Sequence, residues 1–363
     1  MKIIFVLPRL SLSGGNRVVA IYADKLQQRG HDVFLISQPM RPITIKEQIK
    51  SLLRNKKIAL KEKPAPFFDI LNVPHKVLER ERPVTDADVP DADIVIATWW
   101  QTAEWVANLS NTKGAKAYFI QHHEIHDPLP RNRVEATYLL PLYKITIAKW
   151  LVNLMNIKYQ DNHVSLVPNS VDTKQFFSSP RSKQSVPTVG MMYSLQKWKG
   201  VDISLEAFKL ANSTIKDLRL LVLGQHKPLP ELLLPSNSEF IYQPPQEQIK
   251  DIYSQCDAWL FGSRSEGFGL PILEAMACRT PVIATPAGAA PELLANGGGI
   301  LVKPEDPEDM ARAILHICNL SNQEWRFMSD AAYKTATSYT WDDATNLFEK
   351  ALYTAIGRKT DDD

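Results

Sequence analysis

The sequence predicts an α/β protein with two doubly wound parallel sheets, and three observations support this prediction. Short apolar runs of strand length alternate with helix-length segments along the 363-residue chain. The alternation stops once, at residues 168–187, in a linker-like stretch rich in Ser, Pro, Lys and Gln, and then resumes. At roughly 100–200 residues per domain the length suits two domains. An apolar fraction of 44% allows each domain to bury a core.

Strands and helices follow each other in the same order in both halves. In the first half, apolar runs predict strands at residues 2–7, 32–36, 93–97 and 117–121. In the second half, they predict strands at residues 188–192, 218–223, 258–261 and 282–285. Helical segments lie between them, for example at residues 16–29, 204–211 and 245–256. An amphipathic segment at 341–356 predicts a last helix, and we expect the tail after it to fray.

Charge, cysteines and hydropathy exclude several classes of protein. A net charge of +2 gives no support for nucleic-acid binding. Cys256, Cys278 and Cys318 are widely spaced and form no CxxC pair, so neither a disulfide framework nor a zinc site fits them. The first apolar run is too short for a signal peptide, and no stretch approaches the length of a membrane span. We therefore expect a cytoplasmic protein whose contact with the membrane face, if it has any, is peripheral.

The strongest chemical signal lies at residues 265–277, where a loop with two glycines joins a predicted strand to a predicted helix. Pro271 suits the first helical position, because its missing N–H would be unpaired there. Gly267 and Gly269 allow the backbone to approach a ligand closely. The free N–H groups and the dipole at a helix start favour phosphate.

Two acidic residues, Glu266 and Glu274, flank this helix start, and we expect Glu274 in its first turn. A nucleotide sugar offers two vicinal diols with a diphosphate between them, which matches the order acid, amide-rich loop, acid. The alternative is a helix N-terminus stabilised by one glutamate, with the other exposed in a loop. A glycosidase pair of carboxylates fits less well, because it leaves the glycine loop unexplained.

On these residues the sequence resembles the retaining GT-B glycosyltransferases of family 4, whose Glu-x7-Glu motif matches Glu266 to Glu274. Supporting matches cover nearly the whole chain and comprise Ser13-Gly14-Gly15, residues 167–172, Lys199-Gly200, Gly224, residues 289–293 and residues 299–302. The resemblance implies a GT-B fold, with two Rossmann-like domains facing each other across a cleft. We expect an acceptor-binding domain at 1–172 with a crossover helix at 341–357, and a nucleotide-sugar-binding domain at 173–340.

The resemblance also implies roles for residues of the motif. Glu266 would contact the hydroxyls of the donor sugar. The backbone amides of Phe268, Gly269 and Leu270 would bind the sugar and the diphosphate. Glu274 would bind the ribose hydroxyls.

Residues outside the motif receive roles from the same resemblance. Lys199 would neutralise the departing diphosphate, and Gly15 would bring a glycine loop against the phosphates. His122 would orient the donor sugar, with His123 as the alternative. The expected catalytic residues are His122, Glu266 and Lys199. Base recognition is expected around Gly224, Tyr242 and Gln243.

Two further features bear on the donor site. The family's Gly-Arg before Lys-Gly is Tyr193-Ser194 here, so that one contact to the diphosphate is lost or is replaced by Lys197. The Asp-x-Asp sequences at 86–88 and 91–93 resemble elements of metal-dependent transferases. They precede a strand at its N-terminal end, whereas ligands of open α/β sheets bind at the carboxyl ends. We therefore expect no metal and no other cofactor besides the donor substrate.

The predicted function is that of a retaining hexosyltransferase. It would move a hexose from a nucleotide diphosphate sugar, by default UDP-glucose or a similar UDP-sugar, to a saccharide or lipid-linked acceptor in polysaccharide or glycolipid biosynthesis. Two alternatives stay open: a sugar-nucleotide epimerase of similar architecture, and a non-catalytic regulatory homologue. An NAD-dependent dehydrogenase is disfavoured, because no G-x-G-x-x-G follows the first strand.

Two groups of residues allow more than one interpretation. Residues 41–63 carry eight Lys/Arg against two Asp/Glu, with Phe67-Phe68 after them. They form either a solvated helix face or a docking surface for an anionic or lipid-linked acceptor. Three tryptophans either line the acceptor cleft as sugar-stacking platforms or pack in the core: Trp99, Trp100 and Trp105.

Overall fold

The computed structural model describes residues 1–11, 13–40 and 72–357. The basic segment 41–63, the pair Phe67-Phe68 and the tail after residue 357 lie outside the described residues. The chain divides into two compact units. The first unit comprises Met1–Ile147, Leu151–Val167 and Thr345–Asp363, and the second comprises Ala148–Trp150 and Pro168–Ala344.

The first unit contains a parallel sheet. Its described strands are β1 (Lys2–Arg9), β2 (Asp32–Gln38), β3 (His75–Val77), β4 (Ile94–Ala97), β5 (Ala115–Ile120), β6 (Tyr143–Thr146) and β7 (Val164–Leu166). Its described helices include α1 (Gly14–Gln28), α2 (Trp100–Ala107), α3 (Arg131–Thr137) and most of α4 (Lys149–Tyr159). The strand order is β3-β2-β1-β4-β5-β6-β7. The central strands are continuous apolar runs, because parallel strands with helices on both faces are buried on both sides.

The last helix, α11 (Trp341–Ala355), brings the end of the chain back onto the first unit. Phe348 is fully buried, and its ring centroid lies 4.3 Å from that of Tyr22 in α1. The carboxylate of Glu349 lies 2.7 Å from Nε2 of His31. The helix is therefore held through an aromatic stack and through polar contacts at its surface.

The second unit repeats this plan. Its strands are β8 (Thr188–Tyr193), β9 (Arg219–Gly224), β10 (Ser238–Tyr242), β11 (Ala258–Phe261), β12 (Val282–Ala284) and β13 (Gly299–Leu301). Its helices are α5 (Val201–Thr214), α6 (Ile249–Ser254), α7 (Leu270–Ala277), α8 (Ala290–Leu294), α9 (Pro307–Asn319) and α10 (Asn322–Thr337). The strand order is β10-β9-β8-β11-β12-β13, and neighbouring strands are parallel.

The predicted fold class is confirmed, since both units are parallel-sheet Rossmann-like domains. In each sheet the strand order changes direction beside a central strand, between β1 and β4 and between β8 and β11. Ligands of doubly wound folds bind outside the carboxyl ends of the strands at such a point. We therefore expect a ligand of the second unit to bind at the loops after β8 and β11.

The stretch at 168–187, which composition marks as a linker, packs onto the second unit. The ammonium of Lys183 donates to the carbonyl of Leu320 at 2.8 Å. The N–H of Gln184 donates to the carboxylate of Asp257 at 2.8 Å. These contacts use polar groups rather than apolar side chains, which is why hydrophobic periodicity does not reveal them.

Cys256, Cys278 and Cys318 are free and buried. Burial raises the pKa of the Cys318 thiol to about 12. Among the described helices, none combines the length and the hydropathy that a membrane crossing requires.

Candidate functional site

The helix predicted after the glycine loop begins one residue earlier than the sequence suggests. Gly269 has φ +97° and is the residue before the helix, so that α7 starts at Leu270 and Pro271 occupies its second position. Glu274 consequently lies in the second turn of α7. Its expected place in the first turn was wrong, because the left-handed turn at Gly269 lets the helix begin before the proline.

Lys199 and Glu266 are brought together at the carboxyl ends of β8 and β11, which are adjacent in the sheet. The Nζ atom of Lys199 lies 2.7 Å from Oε1 of Glu266, and the hydroxyl of Ser263 donates to the same oxygen at 2.8 Å. The Glu266 side chain is 11% exposed and that of Lys199 is 28% exposed. A charge-assisted pair in this setting is stronger than one in open solvent.

The glycine after Lys199 is required by close packing. Gly200 has φ +58°, and a Cβ atom there would lie 1.8 Å from the carbonyl oxygen of Gly262. The turn that carries Lys199 therefore rests directly on the backbone that follows β11. This contact fixes the position of Lys199 relative to Glu266.

Backbone carbonyls of the glycine loop are anchored to the protein. The carbonyl of Gly267 accepts from the indole N–H of Trp150 at 2.8 Å, and the carbonyl of Phe268 accepts from the N–H of Ala289 at 2.8 Å. Within the described residues, none of the backbone N–H groups from Glu266 to Leu270 donates a hydrogen bond to another backbone group, and the last three of them, those of Phe268, Gly269 and Leu270, lie at the start of α7. Three donors at a helix start form an anion site of the kind that binds phosphate.

Glu274 is held in place by a buried tyrosine. The hydroxyl of Tyr253 donates to Oε2 of Glu274 at 3.0 Å, and the Tyr253 side chain is fully buried. Sequence reasoning missed Tyr253, because a buried aromatic residue in a short helix is typical of core packing.

The three residues expected at the nucleobase meet at the carboxyl ends of β9 and β10. Tyr242 pairs in register with Gly224, and the N–H of Gln243 donates to the Gly224 carbonyl at 2.9 Å. A Cβ atom on Gly224 would lie 3.0 Å from the ring of Phe240, so a side chain there would require this ring to move by a few tenths of an ångström. Tyr242 is 47% exposed, with the ammonium of Lys227 6.0 Å from its ring centroid.

The pair that replaces the family's Gly-Arg has a structural role. Tyr193 is 2% exposed, and its hydroxyl accepts from the N–H of Leu229 at 2.9 Å. The hydroxyl of Ser194 accepts from the N–H of Gln196 at 3.2 Å. The side chain of Lys197 is exposed and has no ion-pair partner in the described part of the chain. An ammonium is thus available two residues before Lys199.

Gly15 lies in the first turn of α1, and its carbonyl accepts from the side-chain amide of Gln121 at 3.2 Å. Gln121 follows β5, so it links the end of this strand to the glycine loop after β1. Sequence reasoning singled out the histidine that follows and overlooked Gln121. Glutamine at a strand end carries no signal in a single sequence.

The two histidines after β5 have different surroundings. Nε2 of His123 lies 2.8 Å from the hydroxyl of Tyr159, and burial, followed by the charge of Lys158, lowers the pKa of His123 to about 4. His123 is therefore neutral at physiological pH. The ring of His122 lies 6.0 Å from that of His126. The assignment of a substrate-facing role to His122 stays a prediction.

Glu124, the next residue, carries a partly buried carboxyl group that sequence reasoning missed. It accepts from the N–H of Trp100, the first residue of α2, at 3.2 Å. Burial raises the pKa of Glu124 to about 8. Trp100 itself is 2% exposed and packs in the core, whereas Trp99 and Trp105 are half-buried.

The acidic sequences before β4 have structural partners. Arg82 contacts both carboxylate oxygens of Asp88, at 2.6 and 2.8 Å, and holds the pKa of that carboxyl well below its usual range. Asp93 accepts from the N–H of Lys2 at 2.8 Å. Among the described residues, no cluster of three or more His, Cys, Asp or Glu side chains is arranged to hold a metal ion.

Two sequence comparisons relate this chain to known proteins. Residues 172–335 match the family model described as glycosyl transferases group 1. The D-inositol 3-phosphate glycosyltransferase of Corynebacterium urealyticum is 31% identical over 189 residues, which cover 47% of this chain and 44% of that protein. This chain aligns with less than half the length of the curated relatives it matches.

Solved structures share the fold over nearly the whole chain. Sucrose-phosphate synthase from Thermosynechococcus elongatus has a TM-score of 0.75 at 16% identity, covering 98% of this chain and 99% of that one. HepE from Anabaena, solved in complex with UDP-glucose, has a TM-score of 0.72 at 18% identity, with 98% and 99% covered. Residues 172–335 are therefore similar to the glycosyl transferases group 1 family, in a chain with the GT-B fold of two Rossmann-like domains.

Proposed function

We propose that this protein is a retaining, metal-independent glycosyltransferase of the family 4 type that uses a nucleotide diphosphate sugar as donor. The observation that carries the proposal is the arrangement of Lys199, Glu266 and the three free amides at the start of α7. A cation and backbone donors suit a diphosphate, and the adjacent carboxylate suits sugar hydroxyls. Glu274, held by Tyr253, is the proposed ligand of the ribose diol.

The proposed reaction proceeds on one face of the donor sugar. The bond between the anomeric carbon and the phosphate oxygen breaks, and its electron pair stays on the diphosphate. Lys199 and the amides at the start of α7 would stabilise this leaving group electrostatically. The acceptor oxygen forms the new bond on the same face, and its proton passes to the departing phosphate.

UDP-glucose is the proposed donor, with other UDP-sugars as close alternatives. HepE of Anabaena has this fold and was solved with UDP-glucose, which supports a nucleotide sugar without fixing the base for this chain. The exposed ring of Tyr242 beside Lys227 offers a surface for a planar base. The proposed acceptor is a saccharide or a lipid-linked saccharide in polysaccharide or glycolipid assembly. Gly15 and His122 are proposed to contribute to donor binding.

The absence of the family's arginine favours one alternative, a non-catalytic homologue. A turnover assay distinguishes the proposed glycosyltransferase from the non-catalytic homologue. The purified protein is incubated with UDP-glucose and with the corresponding GDP- and ADP-sugars in EDTA, and release of nucleoside diphosphate is measured with and without simple saccharide acceptors. We expect turnover that Lys199→Met abolishes and that the exposed control Lys209→Met preserves. A product whose anomeric configuration is inverted would contradict retention, and binding without turnover would favour the non-catalytic homologue.

A further inference from the structure

Trp150 makes a contact with the glycine loop that neither the sequence motif nor the proposed chemistry assigns. It lies in the first turn of α4, in the short segment Ala148–Trp150 that belongs to the second unit. Its indole N–H donates to the carbonyl oxygen of Gly267 at 2.8 Å. The next residue along the loop, Phe268, is one of those whose amide is proposed to bind the donor.

The planarity of the peptide bond transmits this contact to the Phe268 amide. The carbonyl of Gly267 and the N–H of Phe268 belong to one trans peptide unit, so the two point in opposite directions. A carbonyl held by Trp150 therefore directs the N–H of Phe268 away from the indole. The neighbouring peptide is fixed in the same manner, because Ala289 binds the carbonyl of Phe268.

The loop needs such a tether, because Gly267 carries no side chain that could fix its backbone. Glycine populates a wide range of backbone angles, and rotation about its ψ angle reorients the following peptide plane. Without the indole N–H, the peptide between Gly267 and Phe268 would sample orientations that turn the Phe268 N–H away from the ligand. Binding would then require that the peptide first be ordered.

The position of Trp150 is itself fixed from a neighbouring helix. The backbone N–H of Lys149, the first residue of α4, donates to the carboxylate of Glu292 in α8 at 3.3 Å. Glu292 lies only three residues after Ala289, which binds the Phe268 carbonyl. The two tethers of the glycine loop therefore converge on the start of α8.

We propose that Trp150 is a positioning residue, whose indole N–H orients the Gly267–Phe268 peptide so that the Phe268 amide faces the diphosphate and sugar of the donor. This inference rests on the proposed function. It predicts that loss of the N–H weakens binding of ligands that carry a diphosphate and leaves binding of the nucleoside unchanged.

The test is isothermal titration of the full chain and of Trp150→Phe, which keeps an aromatic ring but removes the donor. UDP, GDP and ADP are titrated first, and the diphosphate that binds is then compared with its own nucleoside. Trp325→Phe is the matched control, because the indole N–H of Trp325 also donates to a backbone carbonyl, that of Asp257 at 2.9 Å, in the core of the same unit.

For Trp150→Phe we expect nucleoside diphosphate affinity to fall about 2- to 13-fold, the effect of one hydrogen bond of ordinary strength, with nucleoside affinity unchanged. Trp325→Phe should lower the melting temperature and leave both affinities unchanged. If Trp150→Phe proves unstable, 3-benzothienylalanine at position 150 keeps the ring shape and replaces the N–H with sulfur.

Three results overturn the inference. Unchanged diphosphate affinity in the folded variant would show that the tether has no effect on the site. An equal loss for nucleoside and diphosphate would indicate a general structural defect. A wild-type protein that binds none of the three diphosphates would refute the proposed function and, with it, this inference. The first two results would overturn this inference alone and leave the proposed function intact.

Discussion

In the proposed donor complex, Glu266 competes with the diphosphate for Lys199, and this competition predicts that removing the charge of Glu266 tightens nucleotide binding. In the free protein the Lys199 ammonium is 2.7 Å from the Glu266 carboxylate, which is 11% exposed. A diphosphate must share or take over that ammonium. Glu266→Gln removes the negative charge and keeps an acceptor for Lys199 and Ser263, so we expect UDP to bind more tightly to this variant.

The size of the gain follows from the strength of the pair. A hydrogen bond between charged groups contributes about 1.5–3 kcal/mol, and the neutral amide retains part of it. A gain of about 1–2 kcal/mol corresponds to about 5- to 30-fold tighter UDP binding. The same variant should lose turnover of the sugar nucleotide, because the carboxylate is the proposed partner of the sugar hydroxyls.

A double-mutant cycle isolates the role of the lysine. UDP affinity is measured by isothermal titration for the wild type, Glu266→Gln, Lys199→Met and the double variant. We expect the gain in UDP affinity from Glu266→Gln to shrink in the Lys199→Met background, because the ammonium for which Glu266 and the diphosphate compete is then absent. The competition would be refuted if the wild type binds UDP and the Glu266→Gln variant binds it more weakly.

Three further predictions concern stability. Burial raises the folded-state pKa of Glu124 to about 8 from 4.5, so the stability that its protonated form contributes is complete below pH 4.5 and is lost as the pH rises to 8. Glu124→Gln should therefore melt about 5–10 °C higher than the wild type at pH 8. Melting temperatures of the two proteins that change in parallel from pH 5 to 8 would contradict this. Gly288→Ala places a Cβ atom 2.6 Å from the carbonyl oxygen of Phe268 at φ +63°, so it should cost about 2–4 kcal/mol and weaken UDP binding. Gly297→Ala, where φ is +82° but nothing lies within 4 Å, should cost about 1 kcal/mol, and an equal loss in urea denaturation would argue against the clash. Phe348→Ala empties a fully buried, stacked position and should cost about 3–5 kcal/mol in the same assay, whereas a loss below 1 kcal/mol would mean that α11 contributes little to the first unit.

Strands buried on both faces were accessible to sequence reasoning, and short strands were not. Apolar runs such as that of β1 follow from burial on both faces, so they stand out in composition. β7 and β13 are three residues long and half-buried or exposed, and they take their strand conformation from pairing with a neighbour. A single sequence carries no information about that pairing.

At the candidate site, the sequence indicated which residue types matter, and the structure supplied their partners. The Glu-x7-Glu spacing indicated Glu266 and Glu274 as candidates, and their roles stay predictions. The residues that hold the site (Ser263, Tyr253 and Trp150) act through hydrogen bonds between distant parts of the chain. A lone tryptophan at the start of a helix is typical of packing, and the proposed role of Trp150 depends on its contact with the carbonyl of Gly267.

Nucleotide binding at the start of α7 is the central requirement of the proposed donor site. The decisive measurement is isothermal titration of the purified chain with UDP, GDP and ADP in EDTA, repeated with Glu274→Ala and with the exposed control Glu308→Ala. We predict that one diphosphate binds without metal, that Glu274→Ala weakens it about 10- to 100-fold through loss of the ribose contact, and that Glu308→Ala binds as the wild type does. A folded protein that binds none of the three at millimolar concentration, or a Glu274→Ala variant with unchanged affinity, would contradict the proposed donor site.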